Sequence, residues 1–96
     1  MGKSFFYILA SQRNGTLYVG STTNLVKRKW EHKNNVVSGF TAKYHVHQLV
    51  YYEEHQDIIE AARRERRLKN WCRKWKLNII EQFNPTWRDL YAEIST

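Results

Sequence analysis

Glu65 stands where its own helix asks for a hydrocarbon. At about 100° per residue, Ile58, Ala61, Ala62, Leu68 and Cys72 mark an apolar stripe, and Glu65 falls near its middle, between Ala62 and Leu68. An inward carboxylate is costly unless it is paired, hydrogen-bonded or bound to a cation. The position therefore reads either as a structural ion pair with a buried Arg or as a ligand facing a cleft. Arg28 and His32 are four apart and share a face of an earlier helix. A guanidinium beside an imidazole suits a phosphate, one as a bidentate clamp and the other as proton donor or hydrogen-bond partner. By itself that spacing fits two surface residues equally well. Tyr7 and Tyr18 lie on strands joined by a short hairpin, where they can meet across the ladder with both hydroxyls at one end of the sheet, as packing or as chemistry. His45, His47 and His55 lack a second-ligand pattern and read as surface or loop residues.

The elements that must position these groups follow from local pattern. Residues 4–10 are aromatic and β-branched enough for a buried strand, and Asn14-Gly15 is a hairpin signal because both residues tolerate positive φ. Leu17 to Gly20 returns. Ser21 to Asn24 supplies N-caps for a helix over Leu25 to Lys33, with Val26 and Trp30 as an apolar pair. After a polar loop with Gly39, His47 to Glu54 reads as a third strand. Asp57 caps a helix from about Ile58 to Trp71, a second runs to Phe83, Asn84-Pro85 breaks it, and Asp89 to Ile94 forms a last short turn. The order β-β-α-β-α-α describes an α+β domain: a small three-stranded antiparallel sheet flanked by helices, with residues 1–96 as one domain.

Charge points to the partner. The chain has a net charge of +7, and residues 63–76 hold eight basic side chains against one acid, while the other 82 residues carry eight of each sign. An excess confined to one stretch is the footprint expected of a phosphate-binding surface, a solvated basic helix face being the other reading. The hydrophobic content of 42% excludes a disordered chain. The longest apolar run, Phe5 to Ala10, is far below the roughly 20 residues of a membrane span. A lone Cys72 allows no internal disulfide and fits a reducing cytoplasm.

Taken in order, Tyr7, Tyr18-Val19-Gly20 after a Gly-containing hairpin, Arg28-x-x-x-His32 and Glu60-Ala61-x-x-x-Glu65 resemble the GIY-YIG nuclease superfamily. Gly39-Phe40-Thr41-x-Lys43-Tyr44, Leu49-Val50-Tyr51-Tyr52, Arg64-Glu65-x-x-Leu68-Lys69-x-Trp71 and Asn84-Pro85-x-Trp87-x-Asp89-Leu90 make it more similar to the small stand-alone members related to the N-terminal domain of the third component of excinuclease ABC. Phe5-Phe6-Tyr7 replaces the family's Gly-Ile-Tyr, and Ser21 stands where the excinuclease branch often has Lys.

The resemblance implies a divalent-metal-dependent DNA endonuclease that hydrolyses phosphodiester bonds, structure-directed and linked to repair or recombination. The alternative is a nucleic-acid-binding module of the same fold with little or no cleavage. Glu65 would hold one Mg2+ (or Mn2+), Tyr18 would be the general base, and Tyr7 would orient the nucleophile. Arg28 would bind the scissile phosphate with His32 assisting. A late asparagine matches Asn84 or Asn78, with Asn84 preferred because Pro85 fixes the turn beside it. Lys27, Arg63, Arg66, Arg67, Arg73 and Lys74 are the expected DNA contacts. A chain of this size has no spare domain for reading many base pairs, so targeting would need a partner protein, self-association or a bent or branched substrate.

Overall fold

The computed structural model describes residues 3–34 and 44–94; the Gly39 to Lys43 part of the motifs lies outside them, as do the side chains of His32 and Lys33. The elements are β1 (Ser4–Ala10), β2 (Leu17–Thr22), α1 (Leu25–Lys33), β3 (Gln48–His55), α2 (Ile58–Lys69), α3 (Arg73–Phe83) and α4 (Tyr91–Ile94). The strands form one antiparallel sheet in the order β2-β1-β3. The expected α+β architecture is present, with a short fourth helix closing it.

β1 is central, and its unbroken apolar run follows from burial on both faces. Phe6, Ile8 and Ala10 join Val19, Val50, Leu68, Ile80 and Trp87 under α2 and α3. Tyr7 and Leu9 point the other way, with Leu25, Val46, Leu49 and Leu90 under α1 and α4. The β1–β3 register slips between Ile8 and Leu9, so Val50 opposes no β1 residue, and Val50 and Tyr51 both serve the α2/α3 face.

The caps hold α1 and α2 where the sequence places them. Asp57 Oδ1 accepts from the Glu60 amide at 2.9 Å, and Asn24 Oδ1 accepts from the Lys27 amide at 3.1 Å. The hairpin differs from a two-residue turn. Ser11 N donates to Thr16 O at 3.0 Å across a longer loop, and only Asn14 takes positive φ, 59°. Gly15 leaves room there for the Ser11 hydroxyl, which accepts from the Thr16 amide at 3.0 Å and which a Cβ would displace.

Burial on α1 and α2 departs from the apolar stripes. On α1, Val26 and Trp30 are exposed, whereas Lys29 is 1% exposed, its ammonium 3.3 Å from Asp89 and over the Tyr91 ring. On α2, only Ala61 and Leu68 are buried; Ile58 and Ala62 are exposed, and Cys72 lies beyond the helix as the α3 N-cap. The inward face is thus Ala61, Arg64, Glu65 and Leu68, with the two charged residues on its flanks. Glu65 sits at the edge of the buried stripe, not at its middle.

Candidate active site

β2 is an edge strand, so side chains from both faces of the sheet can meet around it. Register places Tyr7 opposite Gly20 and Leu9 opposite Tyr18, making the two tyrosines diagonal neighbours with ring centroids 6.4 Å apart. Gly20 lets the Tyr7 ring cross the strand: a Cβ at position 20 would lie 2.6 Å from Tyr7 Oη. Both tyrosines belong to the α1 face of the sheet.

From the opposite face comes Glu65. Ser21, opposite Phe6 in the register, donates its hydroxyl to Glu65 Oε1 at 2.6 Å. Lys69, one turn further along α2, sets its ammonium 2.7 Å from Oε2. Glu65 is 21% exposed and Lys69 55% exposed. Both carboxylate oxygens are therefore engaged, and the partner is a lysine and a serine rather than a buried arginine.

The two sides sense each other. Tyr7 is 1% exposed, and burial pushes its phenol far above the ordinary range; nearby Tyr18 adds to this, the Arg28 guanidinium opposes it, and Glu65 adds again. Lys69 is held above the usual lysine range mainly by its hydrogen bond to Glu65, with the Tyr18 oxygen acting in the same direction. Tyr18 is half-buried. Arg28 is 3.3 Å from Glu31 and borders a cavity of about 270 Å³ shared with Thr22, Thr23, Asn24 and Lys27. The structure thus brings Tyr7, Tyr18, Arg28 and Glu65 together around β2. His32 follows Arg28 by one turn of α1, with its side chain outside the described residues.

The chain from residue 3 to 78 matches the family model of the GIY-YIG catalytic domain. The chain belongs to the GIY-YIG family. Relatives of similar length are described as UPF0213 proteins. A UPF0213 protein of Staphylococcus saprophyticus is 33% identical over 82 residues, 85% of this chain and 99% of the relative. One from Syntrophus aciditrophicus is 34% identical over 86 residues, 88% of this chain and 97% of its own. One from Bacillus pumilus is 35% identical over 78 residues, covering 81% and 79%. No solved structure matches the chain. GIY-YIG membership implies nuclease-type activity and DNA as partner. Among the described residues, no helix is long and apolar enough to cross a membrane.

Two expected site residues of this GIY-YIG chain are placed elsewhere. Asn84 is buried behind β3, on the far side of the sheet from β2, and its amide nitrogen donates to Val50 O at 3.2 Å and Arg88 O at 2.8 Å. Its Oδ1 accepts from the Arg88 amide at 3.3 Å, so it clips the C-terminal segment to the sheet and does not join the tyrosines. Asp89 completes that clip, accepting from the Leu49 and Tyr91 amides. Arg73 commits its guanidinium to Asn14 O at 2.7 Å and Gly15 O at 2.6 Å, stapling α3 to the hairpin. Arg63, Arg66, Arg67, Lys74 and Lys27 are exposed and have no acidic partner among the described residues.

Sequence reasoning missed Ser21 and Lys69 as partners of Glu65. The Lys69 signal was present in the i,i+4 spacing, whereas the Ser21 contact spans 44 positions. It also missed the anchor on the other flank of α2. There Arg64 Nε and Nη2 grip Glu53 at 2.9–3.2 Å, Tyr51 Oη donates to Glu53 Oε2 at 2.5 Å, and His55 Nε2 lies 3.0 Å from Oε1. Desolvation pushes the Glu53 carboxyl up, but hydrogen bonds from Arg64, Tyr51 and His55 outweigh it and hold the group below its usual range.

Proposed function

We propose that this protein is a divalent-metal-dependent endonuclease that hydrolyses DNA phosphodiester bonds, choosing its target by DNA structure and acting in repair or recombination. The observation that carries this reading is the convergence of Tyr7, Tyr18 and Arg28 from one face of the sheet with Glu65 from the other, around an edge strand opened by Gly20.

Burial separates the roles of the tyrosines. A free phenol with pKa of about 10 is phenolate in only about one molecule in a thousand at neutral pH, and lowering it by three units needs about 4 kcal/mol. Tyr7 is shifted the wrong way by its burial, so it serves as a hydrogen-bonding support. Tyr18, half-buried at the edge strand, is the general base that takes the proton from the attacking water. Arg28, reaching the Tyr7 hydroxyl from α1, binds the scissile phosphate and stabilises the charge that develops on it.

The donors suit a hard cation. Among the described residues no group of three or more His, Cys, Asp or Glu could hold a metal. One carboxylate, Glu65, fits Mg2+ (or Mn2+), which is commonly held by one or two carboxylates and completes its shell with waters and phosphate oxygens. Bound there, the ion supplies Lewis-acid polarisation of the phosphoryl oxygens and of the leaving group. Arg63, Arg66, Arg67, Lys74 and Lys27 then contact flanking phosphates without reading sequence.

The test is incubation of end-labelled duplex, nicked, flap and branched DNA with magnesium or with EDTA, beside Glu65→Gln. Cleavage that requires both metal and Glu65 is the expected result. DNA binding without cleavage under every metal tried would leave a binding module instead.

A further inference from the structure

Of the two partners of Glu65, Lys69 is the charged one and the one more open to solvent. Oε1 belongs to Ser21, whose position on β2 is fixed by the β1 ladder. Oε2 belongs to Lys69, whose side chain is more than half exposed and turns on four flexible bonds. The ammonium lies within electrostatic reach of the Tyr18 oxygen as well, on the side of the cluster where the cleavage chemistry is assigned. Lys69 also lies within the basic stretch 63–76, between the exposed Arg66 and Arg67 and the exposed Lys74.

We propose that Lys69 is a resident counter-ion for Glu65 that a divalent cation displaces, releasing the ammonium to a DNA phosphate next to the site. The inference rests on the metal reading of Glu65 and adds a residue to it. Without metal, Lys69 and Ser21 together hold the carboxylate in one orientation, so the ligand is preorganised and its charge is neutralised. When the cation takes Oε2, the ammonium and the ion repel each other, and the nearest anion able to accept Lys69 is the DNA backbone. Metal and DNA then favour each other's binding by the same factor, because a coupling free energy is reciprocal. Lys69 is a positioning residue in this scheme; it does not touch the reacting atoms.

The experiment is calorimetric titration of magnesium into the free, full-length protein, with wild type, Lys69→Met, Lys69→Arg and Glu65→Gln compared, and circular dichroism used to confirm each fold. The expected result is magnesium binding abolished by Glu65→Gln, tightened about three- to tenfold by Lys69→Met, and left near wild type by Lys69→Arg. In parallel, Lys69→Met should reduce the salt slope of DNA binding measured with magnesium by about one. Unchanged or weaker magnesium binding in Lys69→Met, with wild-type binding still dependent on Glu65, overturns the counter-ion role and leaves the metal site standing. Wild-type protein that binds no magnesium, or whose binding survives Glu65→Gln, overturns the metal reading and this inference with it.

Discussion

The two flanks of α2 carry the same kinds of group to opposite ends. On the β3 side, Arg64 meets Glu53, and the carboxylate is further bound by Tyr51 and His55. Its donors come from three residues of two elements, and both Glu53 and Arg64 are mostly shielded from water. On the β2 side, Glu65 has one strand-borne hydroxyl and one lysine from its own helix, and the lysine is open to solvent. The first arrangement is closed in by three donors; the second has a partner that stands open to solvent. One helix thus docks by one edge through a shielded ion pair and carries on the other a carboxylate with a solvent-open partner, the arrangement on which the proposed cation role rests.

Substitutions that remove one flank at a time test that division. The largest effect is expected from Glu65→Gln, which should lower DNA cleavage by about a hundred- to a thousandfold while thermal unfolding stays close to wild type. Tyr18→Phe should approach that loss in single-turnover cleavage assays, whereas Tyr7→Phe should lose less, since Tyr7 only supports the cluster. Equal losses from the two tyrosine variants would remove the distinction drawn from burial.

Stability should answer to the other flank. Glu53→Gln should cost about 1.5–3 kcal/mol in denaturant unfolding, because Arg64 loses a charge-assisted partner. Gly20→Ala, which forces a Cβ against the Tyr7 ring, should cost about 1–3 kcal/mol and disturb the cluster as well. The pH dependence follows from the depressed Glu53 carboxyl. A lowered native pKa gives stability that is complete above the unfolded value near 4.5 and is lost as pH falls through the native value. Calorimetric melting of wild type should therefore drop in that acid window, and Glu53→Gln should flatten the drop. The smallest effect belongs to the exposed cations: Arg63→Ala with Arg67→Ala should weaken DNA binding modestly and reduce its salt slope by about two. An unchanged slope would place the DNA elsewhere.

Much of this architecture was legible from the chain because its signals are local. A continuous aromatic and aliphatic run marks β1, the side-chain oxygens of Asn24 and Asp57 mark helix starts, and Pro85 marks a stop. Tyr7, Tyr18, Arg28 and Glu65 were legible as types and spacings. Tertiary structure alone decided which polar side chains were spent. Asn84 and Arg73 look available in sequence, yet one clips a tail to β3 and the other staples a hairpin, because carbonyls remote in sequence lie beside them. Lys29 is buried because Asp89 and Tyr91, about sixty residues further on, fold over it. Helical periodicity says which side of α2 faces inward on average, but it cannot say what waits at each flank. That depends on the side chains each edge strand brings: β2 offers Ser21 to Glu65, whereas β3 closes Tyr51, Glu53 and His55 around Arg64.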